Sequence, residues 1–378
     1  MSTSRSGGWH SFPALVLAVL VGCGSSAGSG SPDTQSPDAA GAGADGSSPM
    51  PGSSEAGPDG GVADGGRGGA EAGSGATLSA MYPGDVGIGN DPRVVWWEGF
   101  DEGSLSAFAA RYDQVDNQAG MALLADIPPK SIGTKSLSLT TSGSGANATD
   151  FYKSFSAGYD EWFVRWYAKY QTGSVTWHHT GVWFGGYDPA LRWPDPQAGL
   201  KPSGNDRISY AIEPVFGTPG AMRFDTYDYW MNMHSWMAMP SGSTAYYGNA
   251  VVNQNAFLVD EGTWVCLEMH VKLNTDPSSD KGSVLEIWKN DAPVVSYTDS
   301  GPDGYWIRDK FCTPAADGTE CTAYPAAFNT VLDLQARTTT SLKLNYFWPQ
   351  NYITTAGVTG TVQFGDMVVA TTRVGCIQ

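Results

Sequence analysis

Between Thr263 and Leu273 the chain alternates without a break. Val265, Leu267, Met269, Val271 and Leu273 fall on one face of an extended strand, and Cys266, Glu268, His270 and Lys272 fall on the other. A period of two does not suit a helix, whose faces repeat every 3.6 residues, so this stretch belongs to a sheet with one side on a core. Similar short runs, bounded by Gly, Pro, Asn and Asp, are Val94 to Phe100, Ser136 to Thr140, Glu161 to Tyr170, Thr176 to Phe184, Arg207 to Phe216 and Met222 to Trp230. They continue with Val284 to Lys289, Val294 to Thr298, Leu342 to Trp348 and Thr361 to Thr372. There is no long amphipathic helical pattern and no internal repeat. So many strands in one unit predict an all-β domain of two packed antiparallel sheets, of jelly-roll type. Asn290-Asp291 predicts a tight turn between Val284 and Thr298.

The sheet-forming pattern does not cover the whole chain. Residues 1–22 read as an export signal: Arg5 in a short start, an apolar stretch from Phe12 to Val21, then Leu20-Val21-Gly22-Cys23. The apolar run is too short to span a bilayer. The last four residues resemble a bacterial lipobox, which implies acylation of Cys23 and anchoring to a membrane through more than one chain. Gly24, rather than Asp, follows the Cys, which favours the outer membrane or the cell surface. From 23 to 77 the chain is almost wholly Gly, Ser, Ala, Pro and Asp, too poor in apolar surface to fold, and it is expected to serve as a tether with an r.m.s. reach of roughly 40 Å. The folded domain is then 78–378, expected to be a monomer.

The formal net charge is −17, and no Lys/Arg cluster breaks the acidic balance, so no nucleic-acid partner is expected. All of the 14 Trp except Trp9 lie beyond the tether. Besides Cys23 there are four cysteines, an even number that suits two disulfides in an exported chain, with three connectivities open. Cys312 with Cys321 would close a polar loop and leave Cys266 to join Cys376. The spacing does not suit zinc.

Four motifs resemble the concanavalin A-like lectin/glucanase superfamily, and within it the branch of alginate and glucuronan lyases: Glu98-Gly99-Phe100-Asp101, Glu161-Trp162-Phe163-Val164-Arg165-Trp166-Tyr167, Gly262-Thr263-Trp264-Val265-Cys266-Leu267-Glu268 and Phe364-Gly365-Asp366-Met367-Val368-Val369-Ala370. The resemblance implies a jelly roll whose concave sheet carries a polysaccharide groove. It also implies a Tyr, His or Lys that removes the C5 proton of a uronic acid while Arg, Gln, Asn or His neutralises the carboxylate. Neutralisation is needed because that proton is weakly acidic until the developing enolate is stabilised. Neither the Arg-x-Glu-x-Arg nor the Gln-Ile-His strand of some of these lyases is present. No cofactor is required, though the superfamily often places a structural Ca²⁺ between carboxylates such as Glu98 and Asp366.

The candidate site lies between Trp177 and Trp236, with a contribution from the C-terminal strands. His178 and His179 alternate on the predicted strand, so at most one of them would face the groove. Arg207, Ser209, Ala211 and Glu213 share a face; Ile208, Tyr210 and Ile212 share the opposite one. Arg223, Asp225, Tyr227 and Tyr229 form another polar face. The expected acid or base is His178, His179, Tyr210, Tyr227 or Tyr346, with Arg207 or Arg223 on the carboxylate and Glu213 or Asp225 on sugar hydroxyls. Trp183, Tyr187, Trp193, Trp230, His234, Trp236, Tyr246, Tyr247 and Trp348 are the candidate sugar platforms, since the C–H face of a pyranose lies flat on an aromatic ring. The paired-carboxylate motif Glu-x-Asp-x-x-Glu of glucanases is absent, which disfavours hydrolysis. A lyase acting on an extracellular polysaccharide is therefore expected first. The alternative is a non-catalytic lectin-like lipoprotein, and a scaffold without a groove comes third.

Overall fold

The computed structural model describes residues 76–143, 148–173, 175–195, 198–215, 223–238 and 244–378. Cys23, the signal and nearly all of the tether lie outside the described residues.

Two antiparallel sheets pack face to face. The eight-stranded sheet runs Ala292–Thr298, Val284–Lys289, Val265–Lys272, Glu161–Tyr170, Thr359–Ala370, Ser136–Ser142, Met121–Leu124, and Val94–Glu98 pairs with the last part of Thr359–Ala370. The six-stranded sheet runs Gln114–Asp116, Thr149–Tyr159, Leu344–Tyr352, His179–Tyr187, Arg207–Pro214, Phe224–Thr226. This is the β-sandwich of jelly-roll type that the alternation predicts. Asn290 and Asp291 both have positive φ, 51° and 65°, as a tight hairpin turn requires.

The core lies between the sheets. Register places Trp162, Val164 and Trp166 opposite Val271, Met269 and Leu267, all buried. From the other sheet Phe151, Val182, Phe184, Ile208, Tyr210, Ile212 and Phe347 point inward, and Trp162 meets Phe184 at 6.4 Å. A fully buried indole removes on the order of 200 Å² from water, about 5 kcal/mol of gross burial, so Trp162, Trp166 and Trp177 dominate this layer.

The second face of Val265–Lys272 is also covered, although its Cys, Glu and His read as a solvent face. Cys266 and Glu268 are buried because the C-terminal segment lies across them, and His270 is buried between Glu161, Glu286 and the stacked ring of Phe163. Glu268 accepts from the backbone N–H groups of Val374 and Gly375 at 2.7 and 2.9 Å, and Cys266 is bonded to Cys376. Leu78 and Ser79 donate to the carbonyls of Arg373 and Val374. Arg165, fully buried, pairs with Asp85 and donates to the carbonyl of Asp366 at 2.7 Å. Asp366 has φ 42° at the irregularity where the long strand leaves Ser136–Ser142 and takes Val94–Glu98 as its neighbour. Cys312 pairs with Cys321 as the loop reading favoured.

Several boundaries differ from the sequence expectation. The strand read from Thr176 begins at His179, because Trp177 turns into the core against Tyr170 at 5.5 Å. The run from Met222 shrinks to Phe224–Thr226, after which the chain continues through isolated bridges to Ser209 and Asn249. Leu344–Tyr352 continues through Pro349, where the sequence suggested an end. Pro349 lacks an N–H, and pairing with Thr149–Tyr159 skips from Phe347 to Gln350. The eleven-residue strand Thr149–Tyr159 itself was not anticipated.

Candidate functional site

Register fixes which side chains face away from the core on the six-stranded sheet. Trp183 lies opposite Ala211 on one neighbour and Trp348 on the other. Its face therefore carries His179, Trp183 and Tyr187, with Arg207, Ser209, Ala211 and Glu213 on one side and Tyr346, Trp348 and Gln350 on the other. Tyr210 falls on the core face, buried at 6.1 Å from Phe184, which removes it as a base: its hydroxyl is turned from any groove on this sheet.

One end of this face is closed. Residues 188–195 and 198–206 fold over it: Tyr152 donates to the Leu191 carbonyl at 3.1 Å, the Asp195 N–H donates to the Tyr187 hydroxyl at 3.0 Å, and Arg207 Nη2 donates to the Leu200 carbonyl. Tyr346 is buried between Tyr152 and Tyr187, ring centroids 5.5 and 5.0 Å away, and hydrogen-bonds Ser209. Tyr187, Arg207 and Tyr346 thus form the packed floor under this cover. Trp193, on the covering segment, is 60% exposed.

The opposite end is more open, with His178, His179, Tyr227 and Tyr352 half-buried, and there the side chains form a connected set. His179 Nδ1 lies 3.0 Å from Glu213 Oε1, and Trp183 Nε1 donates to Glu213 Oε2 at 3.1 Å. Both carboxyl oxygens are thereby held, and His179, 18% exposed, is left at the surface of the pair with Nε2 as its second ring nitrogen. Tyr227 lies 4.7 Å from His179 and 5.4 Å from Trp183. Gly248 allows this position, since a Cβ there would stand 2.2 Å from the Tyr227 ring. His178 precedes the strand, so alternation does not separate it from His179. Instead the two rings stack at 4.0 Å, with Tyr352 at 5.3 Å from His178, and both histidines gather at the same end.

Burial sets the protonation of this cluster. It pushes His179 down to about 3, and pushes His178 down to about 2 with help from its neighbour His179. The Glu213 carboxyl is pushed well up by burial, against the hydrogen bond from Trp183. The contact is thus a hydrogen bond within a neutral pair rather than an ion pair. Tyr227 is raised well above the ordinary phenol value by burial and by Tyr229 and Glu213, so it remains protonated.

Asp150 and Tyr352 belong to this face and have no counterpart in the sequence reading. Asp150, buried, accepts from Trp348 Nε1 at 2.9 Å and is raised to about 7 by burial, while Trp348 meets Trp183 at 5.7 Å. It was missed because its strand was missed. Gln350, directly across from Gly181, adds a buried amide to the same surface.

The other expected residues stand elsewhere. Arg223 pairs with Asp225, whose carboxylate also accepts from the N–H groups of Thr226, Val252 and Asn253. Both therefore hold the 250–253 turn rather than a substrate. Trp230 is buried and donates to the Asp333 carbonyl at 2.9 Å; His234 stacks on Trp306; Trp236 meets Tyr247 at 5.7 Å; Tyr246 pairs with Gly199. These aromatics gather toward the covered end. Glu98 accepts from Phe100 N–H, Tyr112 and Arg111 and is raised to about 7 by burial; Asp366 is raised to about 6, also by burial. Among the described residues no group of three or more His, Cys, Asp or Glu is placed to hold a metal ion, and no helix is long and apolar enough to cross a membrane.

No family model matches the chain, and no curated protein matches its sequence. Among solved structures, an alginate lyase mutant in complex with an alginate tetrasaccharide is similar at a TM-score of 0.46 and 12% identity, covering 74% of this chain and 98% of that one. An alginate lyase from Aplysia kurodai gives 0.46 and 14%, covering 74% and 99%. One from a Chlorella virus gives 0.43 and 12%, with the same coverages.

Proposed function

We propose that this domain binds a uronic-acid polysaccharide at the open end of the six-stranded sheet and cleaves it by β-elimination. The observation that carries the reading is the triad of contacts Trp183–Glu213–His179 beside Tyr227: a buried carboxyl orienting a part-exposed imidazole next to a protonated phenol. Elimination breaks C5–H and C4–O and forms C4=C5. One group must take the C5 proton and another must give a proton to the departing glycosidic oxygen.

In this site the two roles separate by charge state. Loss of one proton from the His179–Glu213 pair gives a carboxylate bonded to Nδ1–H and leaves the Nε2 lone pair to accept the C5 proton. The imidazolium so formed is balanced by Glu213. Tyr227, kept protonated by its surroundings, gives its phenolic proton to the leaving oxygen. Tyr352 and His178 widen the platform on which a pyranose lies, and Gln350 is the neutral donor closest in register for the carboxylate. The chain is read as exported, consistent with its two disulfides, and held at the outer membrane or cell surface through acylated Cys23, with the tether between lipid and domain.

A second reading is a lectin-like protein that binds the same polymer without cleaving it. It is favoured by the commitments of Arg207 and Arg223 to Leu200 and Asp225, which leave the carboxylate to neutral donors. Incubation of the protein with alginate, glucuronan and pectin, followed by absorbance of the unsaturated uronate product, separates the two. Product supports the lyase. Retention on a polysaccharide affinity gel without product supports the lectin, and loss of both ends the carbohydrate reading.

A further inference from the structure

About 460 Å³ of open space lies at the covered end, lined by Lys201, Asn232, His234, Tyr246, Trp306 and Asp333 among others. It is separate from the His179 cluster. Tyr187, at the far end of the strand from His179, pairs with Arg207, which binds the carbonyl of Leu200, the residue before Lys201. Eight residue steps along that strand are roughly 26 Å. We propose that this cavity is a second carbohydrate site, built for a single carboxylated sugar residue. This rests on the reading of the domain as one that handles uronic-acid polymers.

Three observations carry the assignment. The Lys201 ammonium lies 5.6 Å over the Tyr246 ring and forms no ion pair with any described residue. On a chain with formal charge −17, a cation at a cavity wall without a carboxylate partner is a place for an external anion. Second, the wall is built rather than incidental. The backbone of His234 is clamped by Asn249, whose Oδ1 accepts from His234 N–H at 2.6 Å and whose Nδ2 donates to the His234 carbonyl at 2.9 Å. The His234 ring lies flat on Trp306, centroids 4.0 Å apart and planes at 7°. Tyr246 is fixed through paired backbone bonds with Gly199. Third, the polar groups match a sugar acid and not a bare anion. Lys201 suits the carboxylate, while the Asn232 amide and the Asp333 carboxylate suit hydroxyl groups; one Asp333 oxygen already accepts from the Gln335 N–H at 2.9 Å. Burial and the neighbouring Lys201 ammonium hold the His234 imidazole below its ordinary value, a repulsion that a bound carboxylate relieves.

Full-length protein is titrated calorimetrically with sodium D-glucuronate and, separately, with methyl β-D-glucoside. Glucuronate is expected to bind and the uncharged glucoside to bind at least tenfold more weakly. Lys201→Met is expected to lose roughly ten- to hundredfold in glucuronate affinity, the scale of a lost charge-assisted hydrogen bond, while His234→Gln weakens it less. Glu213→Gln is expected to leave this binding unchanged. Glucuronate binding that Lys201→Met and His234→Gln both leave intact, or no glucuronate binding at all, overturns the proposal. Polymer cleavage is followed in parallel: product from the wild type with no Lys201-dependent binding removes the cavity site alone, whereas Lys201-dependent binding with no product removes the lyase reading alone.

Discussion

Glu213→Gln tests the proton logic of the site with the smallest change in shape. The amide is isosteric, so its oxygen still accepts from Trp183 Nε1 across 3.1 Å and its NH₂ donates to His179 Nδ1 across 3.0 Å. What it cannot do is lose a proton. The imidazole is then locked with its hydrogen on Nε2, the nitrogen that must accept the C5 proton. Removal of a positioned general base costs about 10²- to 10⁴-fold, so kcat should fall by that range while KM changes little, because the aromatic surface is untouched. In the wild type, burial raises Glu213, so the base-competent form accumulates only as pH rises above the ordinary carboxylate range, and kcat/KM should climb with pH. Stability carries the opposite sign. The folded state holds a proton on Glu213 that the unfolded chain releases near the ordinary carboxylate value, so the wild type loses stability as pH rises above it, and Glu213→Gln abolishes that loss. Rates on a soluble polyuronate between mildly acid and alkaline pH, with urea unfolding at the same pH values, read both effects. A variant within threefold of wild-type kcat and with the same pH profile would refute the assignment of the pair as base.

Other predictions concern the frame that holds the site. In the chain-entropy treatment, loss of Cys266–Cys376, which closes a separation of 110 residues, should cost about 4.8 kcal/mol, against about 2.6 kcal/mol for Cys312–Cys321 with its separation of 9; paired Cys→Ser variants in urea check the order. Arg165→Met leaves Asp85 buried without its partner and should destabilise the domain by about 3 to 5 kcal/mol in the same assay. Burial pulls the pKa of His270 down, but hydrogen bonds to Glu161 at 2.9 Å and Glu286 at 2.8 Å outweigh it, and the net shift is upward. Its contribution is therefore present below about 6.5 and lost as pH rises through the folded value, and His270→Gln should flatten Tm against pH in that window. His178 and His179, kept neutral, act below that window instead, weakening the fold as pH drops from 6.5.

The sandwich was legible because period-two alternation survives wherever one face of a strand is buried, as in Val265–Lys272. Thr149–Tyr159 escaped because its inward positions mix Phe151 with Lys153, whose ammonium reaches out to the Arg111 carbonyl, and the alternation is lost. Pro349 misled for a physical reason: a missing N–H normally ends a central strand, yet here the ladder tolerates one gap. At the site, alternation put Arg207, Ser209, Ala211 and Glu213 on one face, and the strand register shows that face to be the one that carries Trp183. Alternation could not say that residues 188–195 and 198–206 would bury Arg207 and Tyr346, nor that His178 would stand outside the strand and stack on His179. Those outcomes depend on long-range packing, and nothing local in the sequence encodes them.

The central claim is that His179 at the open end moves the proton that breaks the polymer. The most direct measurement is the absorbance of unsaturated uronate released by wild type and by His179→Ala, each also run on a polysaccharide affinity gel. The account predicts product from the wild type, a loss of at least a hundredfold in His179→Ala, on the scale of a lost general base, and similar retention of both on the gel. Product from His179→Ala at the wild-type rate would contradict it.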